Sequence, residues 1–569
     1  MINVGLMPLH PADVVGVIGA NELKGLKVTF INMPLRESAK PNTPPEGPAI
    51  LAAILRKYGA EPSIIDLNSY RMPTDPKLHP EGLPHRLINY EEAEAMLEKH
   101  FGQKGDQDIV AFSGMITTLR WQEVVAKFVR KFQPRTFLGS GGGLVTELKE
   151  GLFNWMDELD WIGHSEGDDV ILAVARDAML IKELGYRKAI VSNKLSPYYI
   201  GEKNSRHRFI YAGNRPKDLD VLPYAAWDLL ESDPYGHNVL EDYIKVPVWG
   251  VAANNSSATS FTMERSLTTV SSRGCPYACA FCYRGAQGER NYGVRSALHI
   301  AKQAKEYVDK YKVDFIGFPD DNFAVSKKRV ADFLPIFNEY GIDVRWGTHA
   351  RLDEADERAV DMAKAGCVYI GFGAESASKT ILERMNKGGF ILKNGLTKMR
   401  VNGSEYEFAT TMVNGIKKCR EVGIHANCTW IMAYPGETLH DLKTSVAFIK
   451  WQQEFMTEGL TPGTPEYKIA YDSVNRKMFT ATAYPGTAMF KDSACRSLLN
   501  KNFGISFGEF GEPICDDAFH AYVLELDDAT KVLHNEQGEA LNFGAMPMDT
   551  FLQAREYVDT DRIEKVLEM

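Results

Sequence analysis

The pattern of apolar and polar positions along the chain predicts two successive series of strands and helices. In the first series, short continuous apolar runs are followed by stretches in which apolar residues recur at helical spacing. Such runs are typical of strands buried on both faces, so this series predicts a parallel sheet covered by helices, a Rossmann-like doubly wound α/β fold. The predicted strands are 28–32, 63–66, 109–114, 136–143 and 159–163, and the helices are 49–58, 90–100, 121–132 and 170–178.

A second series of the same kind begins near residue 268. It contains six strand-and-helix steps, two fewer than a complete TIM barrel, which fits a partial (β/α)6 barrel of the TIM type. In both kinds of fold, ligands bind at the carboxyl ends of the strands. The predicted strands of this series are 268–272, 314–318, 344–348, 368–372, 426–432 and 477–483.

These two series divide the chain into four predicted parts. A Rossmann-like domain covers residues 1–180, a linker covers 181–260, the partial barrel covers 261–490, and a small C-terminal cap covers 491–569. Inside the barrel, residues 390–411 form an apparent insertion that lengthens the connection after its fourth strand. The insertion either shapes a substrate pocket or decorates the surface.

The composition is that of a multidomain globular enzyme. The chain has 569 residues, of which 44% are hydrophobic and 25% charged. A net charge of −10 argues against nucleic acid as the main partner, and no apolar run is long enough to predict a membrane span. The N-terminus lacks a signal-peptide pattern, and eight cysteines without an even framework favour a reducing compartment. We therefore expect a cytoplasmic protein.

Three of the eight cysteines lie within one short predicted loop, at Cys275, Cys279 and Cys282. Three thiolates at this spacing suit a 4Fe–4S cluster with one iron left open to another ligand. A zinc ion would need a fourth Cys or His nearby, but the nearest downstream histidine, His299, falls in a predicted helix. A disulfide framework would leave one cysteine unpaired. Residues 275–282, the cysteine loop, are therefore the candidate metal site.

Glycines and polar residues gather where the strands of the first series end. They either allow a ligand to approach the backbone or simply permit tight turns into the following helices. Unlike the dinucleotide-binding fingerprint, the glycine run follows the fourth strand and not the first. The candidate ligand-binding residues at this edge are Ser113, Gly114, Gly139, Gly141, Gly142, Gly143, Glu166 and Gly167.

The spacing of the three cysteines, with Phe281 before the last of them, resembles the signature loop of radical S-adenosylmethionine (SAM) enzymes. The motifs Asp-Asp-Asn-Phe (320–323), Gly-Ala-Glu-Ser (373–376) and Pro-Gly-Glu-Thr (435–438) follow at predicted strand ends in the order of that family. The resemblance implies that the three cysteines hold a 4Fe–4S cluster. It also implies that the open iron binds the amino and carboxylate groups of SAM, with Phe281 near the adenine.

Charged and polar residues in these motifs are candidate SAM contacts. Asp320 and Asp321 would accept hydrogen bonds from the amino group of SAM. Glu375, with Ser376 beside it, would bind the ribose hydroxyls or the same amino group, and Arg351 a carboxylate of SAM or of a substrate. Taken singly, each residue fits a helix cap or a solvated loop charge equally well.

The first series resembles the cobalamin-binding domain that precedes the barrel in many radical SAM enzymes. The resemblance rests on Pro-Pro-Glu-Gly at 44–47, on Ser-Gly-x-x-Thr-Thr at 113–118, on the glycine run, and on Ser-Glu-Gly at 165–167. It implies a bound cobalamin. Residues 32–48 contain no histidine, so the resemblance is to enzymes without a protein histidine on cobalt, or to a domain that has lost the cofactor.

The resemblance implies a cobalamin-dependent methyltransferase that acts on an unactivated carbon of a small molecule. An external electron donor such as flavodoxin or ferredoxin would then reduce the cluster. Oxidative cyclisation, rearrangement and methylation of phosphorus are alternatives with the same cofactors, and an electron-transfer or binding protein is a non-enzymatic one. Methylthio transfer to RNA is disfavoured because residues 1–274 contain no cysteine for a second cluster.

Overall fold

The structure, a computed structural model, describes residues 19, 21–35, 43–69, 71–73, 85–192, 199–216, 218–245, 261–283, 292–527 and 531–569. The contacts divide the chain into two units. The sheet unit comprises residues 1–243, 285–287 and 503–528, and the barrel unit comprises residues 244–284, 288–502 and 529–569. The predicted cap is therefore corrected: residues 491–569 are divided between the two units and form no unit of their own.

The sheet unit is built on seven strands. Their bounds are β1 Lys27–Asn32, β2 Glu61–Asp66, β3 Ile109–Ser113, β4 Phe137–Gly141, β5 Trp161–Ser165, β6 Tyr199–Lys203 and β7 Arg206–Gly213. The spatial order is β2-β1-β3-β4-β5-β7-β6, and every pair is parallel except the last. The order 2-1-3-4-5 is that of flavodoxin-like sheets, whose ligand cleft lies at the carboxyl ends where the strand order reverses, beside β1 and β3.

Two of these strands lie inside the predicted linker. Because β6 and β7 pair with each other and β7 pairs with β5, the sheet continues to Gly213, beyond the predicted boundary at residue 180. β7 is buried along most of its length, as a strand inside a sheet should be. The 181–260 linker prediction is corrected accordingly.

Helices of the sheet unit connect the parallel strands. Helix Glu46–Lys57 contacts helix Gly167–Leu184, and helix Tyr90–Lys104 contacts helix Leu119–Phe132. The remaining helices are Gly143–Leu148, Tyr186–Val191, Val239–Lys245 and Asp517–Leu524, and a short antiparallel pair joins Arg71–Pro73 to His85–Leu87.

The barrel unit contains the six parallel strands that the sequence predicts. They are β8 Ser266–Thr268, β9 Phe315–Phe318, β10 Arg345–Arg351, β11 Cys367–Glu375, β12 His425–Met432 and β13 Phe479–Thr480, and they neighbour one another in chain order. The α/β fold with a partial barrel is confirmed. Its helices are Ala297–Tyr311, Lys327–Glu339, Glu357–Lys364, Lys379–Arg384, Gly388–Ile391, Thr410–Val422, Leu439–Thr457, Pro465–Asp472, Ala488–Lys491, Ser493–Phe503 and Met548–Asp559.

The insertion after the fourth barrel strand is largely a β-hairpin. Leu396–Val401 pairs antiparallel with Ser404–Ala409 across Asn402 and Gly403, which both have positive φ. That backbone is the type I′ turn of a two-residue hairpin. Phe408 is fully buried, and its ring meets that of Phe448 at 5.1 Å, so the hairpin packs on helix Leu439–Thr457.

Helix length and hydropathy indicate whether a helix could span a membrane. Among the residues that the structure describes, none of the helices has the length and apolar character needed to cross a bilayer.

Candidate active site

A buried carboxylate holds the backbone that leads into the cysteine loop. Asp320, which follows β9, is 2% exposed. It accepts hydrogen bonds from the Ser271 amide at 2.7 Å and from the hydroxyls of Ser271 and Ser272 at 2.6 Å each. The carboxylate is thus occupied by the segment just before Cys275. Asp320 therefore positions the loop, and its contact with the amino group of SAM stays a prediction.

Two further charged groups fix the same segment. The Arg329 guanidinium is buried and donates to the Ser271 carbonyl at 3.0 Å and to the Ser271 hydroxyl at 2.6 Å. Asp321 is exposed and accepts from the Gly274 amide at 3.1 Å. Gly274 has a φ of +78°, a backbone that favours glycine, so its place before the first cysteine has a physical reason.

The middle of the cysteine loop is docked on distant parts of the barrel unit. The Ala280 amide donates to the Met385 carbonyl at 2.9 Å, and the Asn386 side chain donates to the Ala278 carbonyl at 2.8 Å. The Met489 amide donates to the Ala280 carbonyl at 2.8 Å. Groups from two separate segments thus hold the loop and fix the backbone that carries the cysteines.

The end of the third barrel strand contributes a buried arginine at the loop. Arg351 is 6% exposed, and its Nη1 lies 3.8 Å from Cys279 Sγ. Its Nε donates to Asp353 at 3.0 Å, and its Nη2 donates to the Lys387 carbonyl at 3.3 Å. Its guanidinium also lies 4.1 Å from the centre of the Tyr277 ring. The structure therefore places Arg351 on a cysteine, whereas the sequence predicts a carboxylate ligand.

Glu354 ties the cysteine loop to the same strand end. Its carboxylate accepts from the Tyr277 hydroxyl at 2.9 Å and from the Asn322 side chain at 3.3 Å. Burial raises the pKa of Glu354 above its ordinary value, although these hydrogen bonds and Arg358 oppose that shift. Glu354 was not found from the sequence, because a carboxylate one turn beyond a strand carries no signal of its tertiary partners.

Glu375, another predicted SAM contact, is partly buried and paired with a lysine. Its side chain is 12% exposed, and it forms an ion pair of 3.2 Å with the buried Lys387. Glu375 has a φ of +64°, and a Cβ at Gly373 would lie 2.4 Å from its Oε1, so the glycine makes room for the pair. The Lys387 ammonium lies 5.8 Å from the Phe281 ring, whose edge faces Tyr434 at 6.4 Å.

Ser376 has a structural place in the turn after β11. It is fully buried, its hydroxyl accepts from the Ser378 amide at 3.1 Å, and it lies 3.3 Å from the Ser445 hydroxyl. A hydroxyl held in this way fixes the turn into helix Lys379–Arg384. The prediction that Ser376 contacts SAM stays a prediction.

The donor set of the loop fits an iron–sulfur cluster. The three thiols are unpaired, and burial together with the neighbouring Cys279 raises the pKa of Cys275. Such thiols must lose their protons to bind metal. No three acidic, His or Cys side chains of the described residues converge as on a single ion. In a four-iron cluster each thiolate binds a different iron, so its ligands spread more widely.

The glycines at the edge of the sheet unit differ in what a side chain at each position would contact. A Cβ at Gly139 would lie 2.0 Å from the Trp161 ring, and a Cβ at Gly167 would lie 3.4 Å from the Leu51 side chain. Gly139 therefore accommodates a buried indole, whereas a side-chain carbon at Gly167 would make only an ordinary van der Waals contact with Leu51. Cofactor binding by these two glycines stays a prediction.

Gly114 and Gly142 bring two turns of the edge together. Gly142 has a φ of +95°, and a Cβ there would lie 2.6 Å from the Gly114 carbonyl. A Cβ at Gly114 would in turn meet the Thr118 hydroxyl. Thr118 accepts from Gln122 at 3.0 Å, and Gln122 accepts from the Ser140 hydroxyl at 2.6 Å. This buried polar chain lies beneath the edge and was not found from the sequence.

At the remaining predicted residues, a ligand has room to approach the backbone. Ser113, Gly141 and Gly143 are half-buried, and the nearest atom to a Cβ at Gly141 would be 3.5 Å away. Glu166 forms an ion pair of 2.7 Å with Arg215.

Two buried polar atoms at this edge have no hydrogen-bond partner among the described residues, namely Thr117 Oγ1 and His164 Nε2. His164 is 4% exposed, and burial lowers its pKa to about 4, so the ring is neutral. An open glycine backbone beside orphaned donors fits a ligand rich in amide groups, such as cobalamin.

Three comparisons bear on this architecture. The sequence profile of the radical SAM superfamily matches residues 269–449, which contain the cysteine loop and the four barrel strands β9 to β12. An uncharacterised methyltransferase of Pyrococcus horikoshii is 24% identical over 405 residues, which is 70% of this chain and 72% of that protein.

Two solved structures share the fold. The cobalamin-dependent SAM radical enzyme OxsB, with aqua-cobalamin and SAM bound, aligns with a TM-score of 0.53 at 16% identity. This alignment covers 79% of the present chain but only 55% of OxsB, so the chain spans about half of that enzyme's length. The radical SAM methyltransferase TsrM of Kitasatospora setae, with cobalamin and a [4Fe–4S] cluster bound, aligns with a TM-score of 0.52 at 13% identity, over 85% of this chain and 76% of TsrM.

The match covers the region in which the three cysteines, the docked loop and four of the six barrel strands occur together. Radical SAM domains hold a 4Fe–4S cluster and SAM. Residues 269–449 are therefore similar to radical SAM domains, and the chain shares its fold with OxsB and TsrM.

Proposed function

We propose that this chain is a cobalamin-dependent radical SAM methyltransferase that transfers a methyl group to an unactivated carbon of a small molecule. One observation carries the proposal. A single chain combines a sheet of flavodoxin-like order, with an open glycine edge, and a six-stranded barrel whose first strand leads into three cysteines. Each half provides the type of site that one of the two cofactors requires.

In the barrel unit, the chain's own residues order the site. Cys275, Cys279 and Cys282 would ligate the cluster, Glu375 would accept hydrogen bonds from SAM, and Phe281 would pack near its adenine. When bound, the cluster and SAM supply a carbon radical that removes a hydrogen atom from the substrate. The protein contributes a loop whose backbone is fixed before Cys275 and at its middle, which limits motion of the reacting groups.

In the sheet unit, the edge residues would bind cobalamin. The backbone at Ser113, Gly141 and Gly143 would approach the ring, and Thr117 and His164 offer buried polar atoms to its amide groups. When bound, cobalamin supplies the methyl group that replaces the abstracted hydrogen. The predicted absence of a histidine on cobalt concerns residues 32–48, of which 36–42 lie outside the described residues.

The proposed partners follow from this chemistry. The acidic net charge of −10 favours a small molecule over nucleic acid as the substrate. The cluster must be reduced, so we propose an external donor of the flavodoxin or ferredoxin class and a reducing, cytoplasmic location.

The decisive experiment is anaerobic reconstitution with iron, sulfide and hydroxocobalamin, followed by a count of both metals. We expect about four iron atoms and one cobalt per chain. The Cys279→Ala variant should lose most of the iron and keep the cobalt. Cys515→Ala, which removes a half-buried thiol of the sheet unit, is the matched control and should keep both.

Methyl transfer is tested with SAM that carries an isotope-labelled methyl group. We expect the label to reach protein-bound cobalamin, an outcome that cyclisation, rearrangement or simple electron transfer does not require. A chain that loads iron but no cobalt would end the cobalamin part of the proposal.

A further inference from the structure

We propose that Arg351 adjusts the reduction potential of the cluster through a charged hydrogen bond to the Cys279 sulfur. This inference rests on the proposed placement of the cluster on Cys275, Cys279 and Cys282. It assigns Arg351 a role in tuning the cluster, in place of the carboxylate-binding role that its position in the sequence predicts. The residue acts through the sulfur and does not itself need to touch SAM or the substrate.

The geometry holds the guanidinium against the sulfur with little freedom. One edge is fixed by Asp353, at 3.0 Å from Nε, and another by the Lys387 carbonyl, at 3.3 Å from Nη2. One face lies 4.1 Å from the centre of the Tyr277 ring. The remaining terminal nitrogen, Nη1, is the one at 3.8 Å from Cys279 Sγ. The contacts with Asp353, the Lys387 carbonyl and the Tyr277 ring therefore fix the orientation in which Nη1 meets the Cys279 sulfur.

The surroundings make this contact strong. The side chains of Arg351 and Asp353 are 7% and 3% exposed, so water and salt screen their charges weakly. Asp353 offsets part of the positive charge of Arg351. Among the described residues, it forms no hydrogen bond of its own with Cys279. An N–H donor directed at a thiolate ligand is one of the recognised means by which a protein sets the potential of an iron–sulfur cluster.

The direction of the effect follows from the electron count. Reduction adds one electron to the cluster and makes it, with its thiolates, more negative by one charge. A fixed cation and a hydrogen-bond donor stabilise the more negative state. Arg351 should therefore raise the reduction potential and make the cluster easier to reduce by an external donor.

The test is a redox titration of the reconstituted enzyme without SAM, followed by electron paramagnetic resonance of the reduced cluster. In Arg351→Gln, the ratio of reduced to oxidised cluster at a fixed potential should fall about tenfold, which is a midpoint lower by 59 mV for a one-electron couple. Arg351→Lys keeps the charge but loses the planar fork, so its midpoint should lie between those of wild type and Arg351→Gln.

A matched control separates the sulfur contact from charge alone. Arg358 belongs to the same unit and has a side chain 11% exposed, but its contacts are with Asp356, Glu354 and the Ala324 carbonyl. Arg358→Gln removes one positive charge from the region without removing a donor to a cysteine. Its midpoint should stay close to that of wild type.

A second pair of variants protects the test from misfolding, because Arg351→Gln leaves the buried Asp353 carboxylate without its partner. Asp353→Asn keeps a neutral acceptor beside Arg351, the double variant Arg351→Gln/Asp353→Asn removes both charges, and the two variants differ only in the guanidinium. The double variant should have the lower midpoint of the two.

The outcomes distinguish this inference from the proposed function. Loss of iron from the wild-type chain after reconstitution would refute the cluster placement itself. A normal iron content and an unchanged midpoint in both comparisons would overturn only the role of Arg351. If SAM affinity fell while the SAM-free midpoint stayed the same, Arg351 would be a carboxylate ligand, and the inference would again be wrong.

Discussion

Removal of the Asp320 carboxylate is the sharpest test of how the cysteine loop is built. Asp320→Ala leaves the Ser271 amide and two serine hydroxyls without the acceptor that holds them at 2.6–2.7 Å. A hydrogen bond to a charged group contributes about 1.5–3 kcal/mol, and a buried donor left unpaired costs about 1–3 kcal/mol. The two hydroxyls can turn toward other acceptors, but the amide cannot. We therefore expect a loss of about 3–5 kcal/mol in the free energy of unfolding.

Urea denaturation of the variant and the wild type measures this loss, and iron per chain after reconstitution measures its effect on the site. Iron should fall in parallel, because the segment before Cys275 is no longer fixed. Asp332→Ala is the matched control. Asp332 forms an exposed pair of 3.0 Å with Lys328, and removing such a pair should change stability by less than about 1 kcal/mol.

Two results would contradict this reasoning in different ways. A variant that unfolds within about 1 kcal/mol of wild type and binds full iron would mean that Asp320 does not hold the loop. A variant that binds full iron but no longer binds SAM would return Asp320 to the ligand role that its sequence motif indicates.

Three further predictions concern other parts of the chain. Gly139→Ala should lower the free energy of unfolding by about 1–3 kcal/mol, because its Cβ would collide with Trp161. Gly141→Ala has room for the Cβ and should not lower it. Thermal unfolding of the two variants compares them. Burial raises the pKa of Glu437 from 4.5 to about 8, so the folded state keeps a proton that the unfolded state loses. Stability should therefore fall as the pH rises from about 4.5 to 8, on the order of a few kcal/mol, and Glu437→Gln should abolish this slope in denaturation measured across that range. Glu375→Gln should weaken SAM binding about tenfold in calorimetric titration while iron stays constant, because one charge-assisted hydrogen bond becomes neutral.

The fold was largely predictable because parallel strands buried on both faces are continuous apolar runs that end in glycines and polar residues. Two strands of the seven-stranded sheet, β6 and β7, lack that signal: β6 is a polar edge strand, and β7 begins with Arg206, His207 and Arg208 before its apolar part. The hairpin in the insertion did have a signal. Asn402-Gly403 between two extended segments is a strong indication of a two-residue hairpin turn.

The site was less predictable, because residue type does not identify a tertiary partner. The spacing of the cysteines is local and needs no fold to be recognised. In contrast, the motif around Asp320 does not indicate that Ser271 and Ser272 donate hydrogen bonds to its carboxylate. The sequence near Lys387 likewise does not indicate its ion pair with Glu375. These pairings arise only when separate strands bring their ends together.

The docking of Ala280 on Met489 has a consequence for the order of events in the cell. Met489 leaves the ribosome roughly two hundred residues after the cysteines, which at about 5–20 residues per second corresponds to about 10–40 s. During that interval, the three thiols emerge without the backbone that orders them and are open to oxidation or to a wrong metal. The cysteine loop therefore gains its full set of backbone partners only after translation has passed Met489.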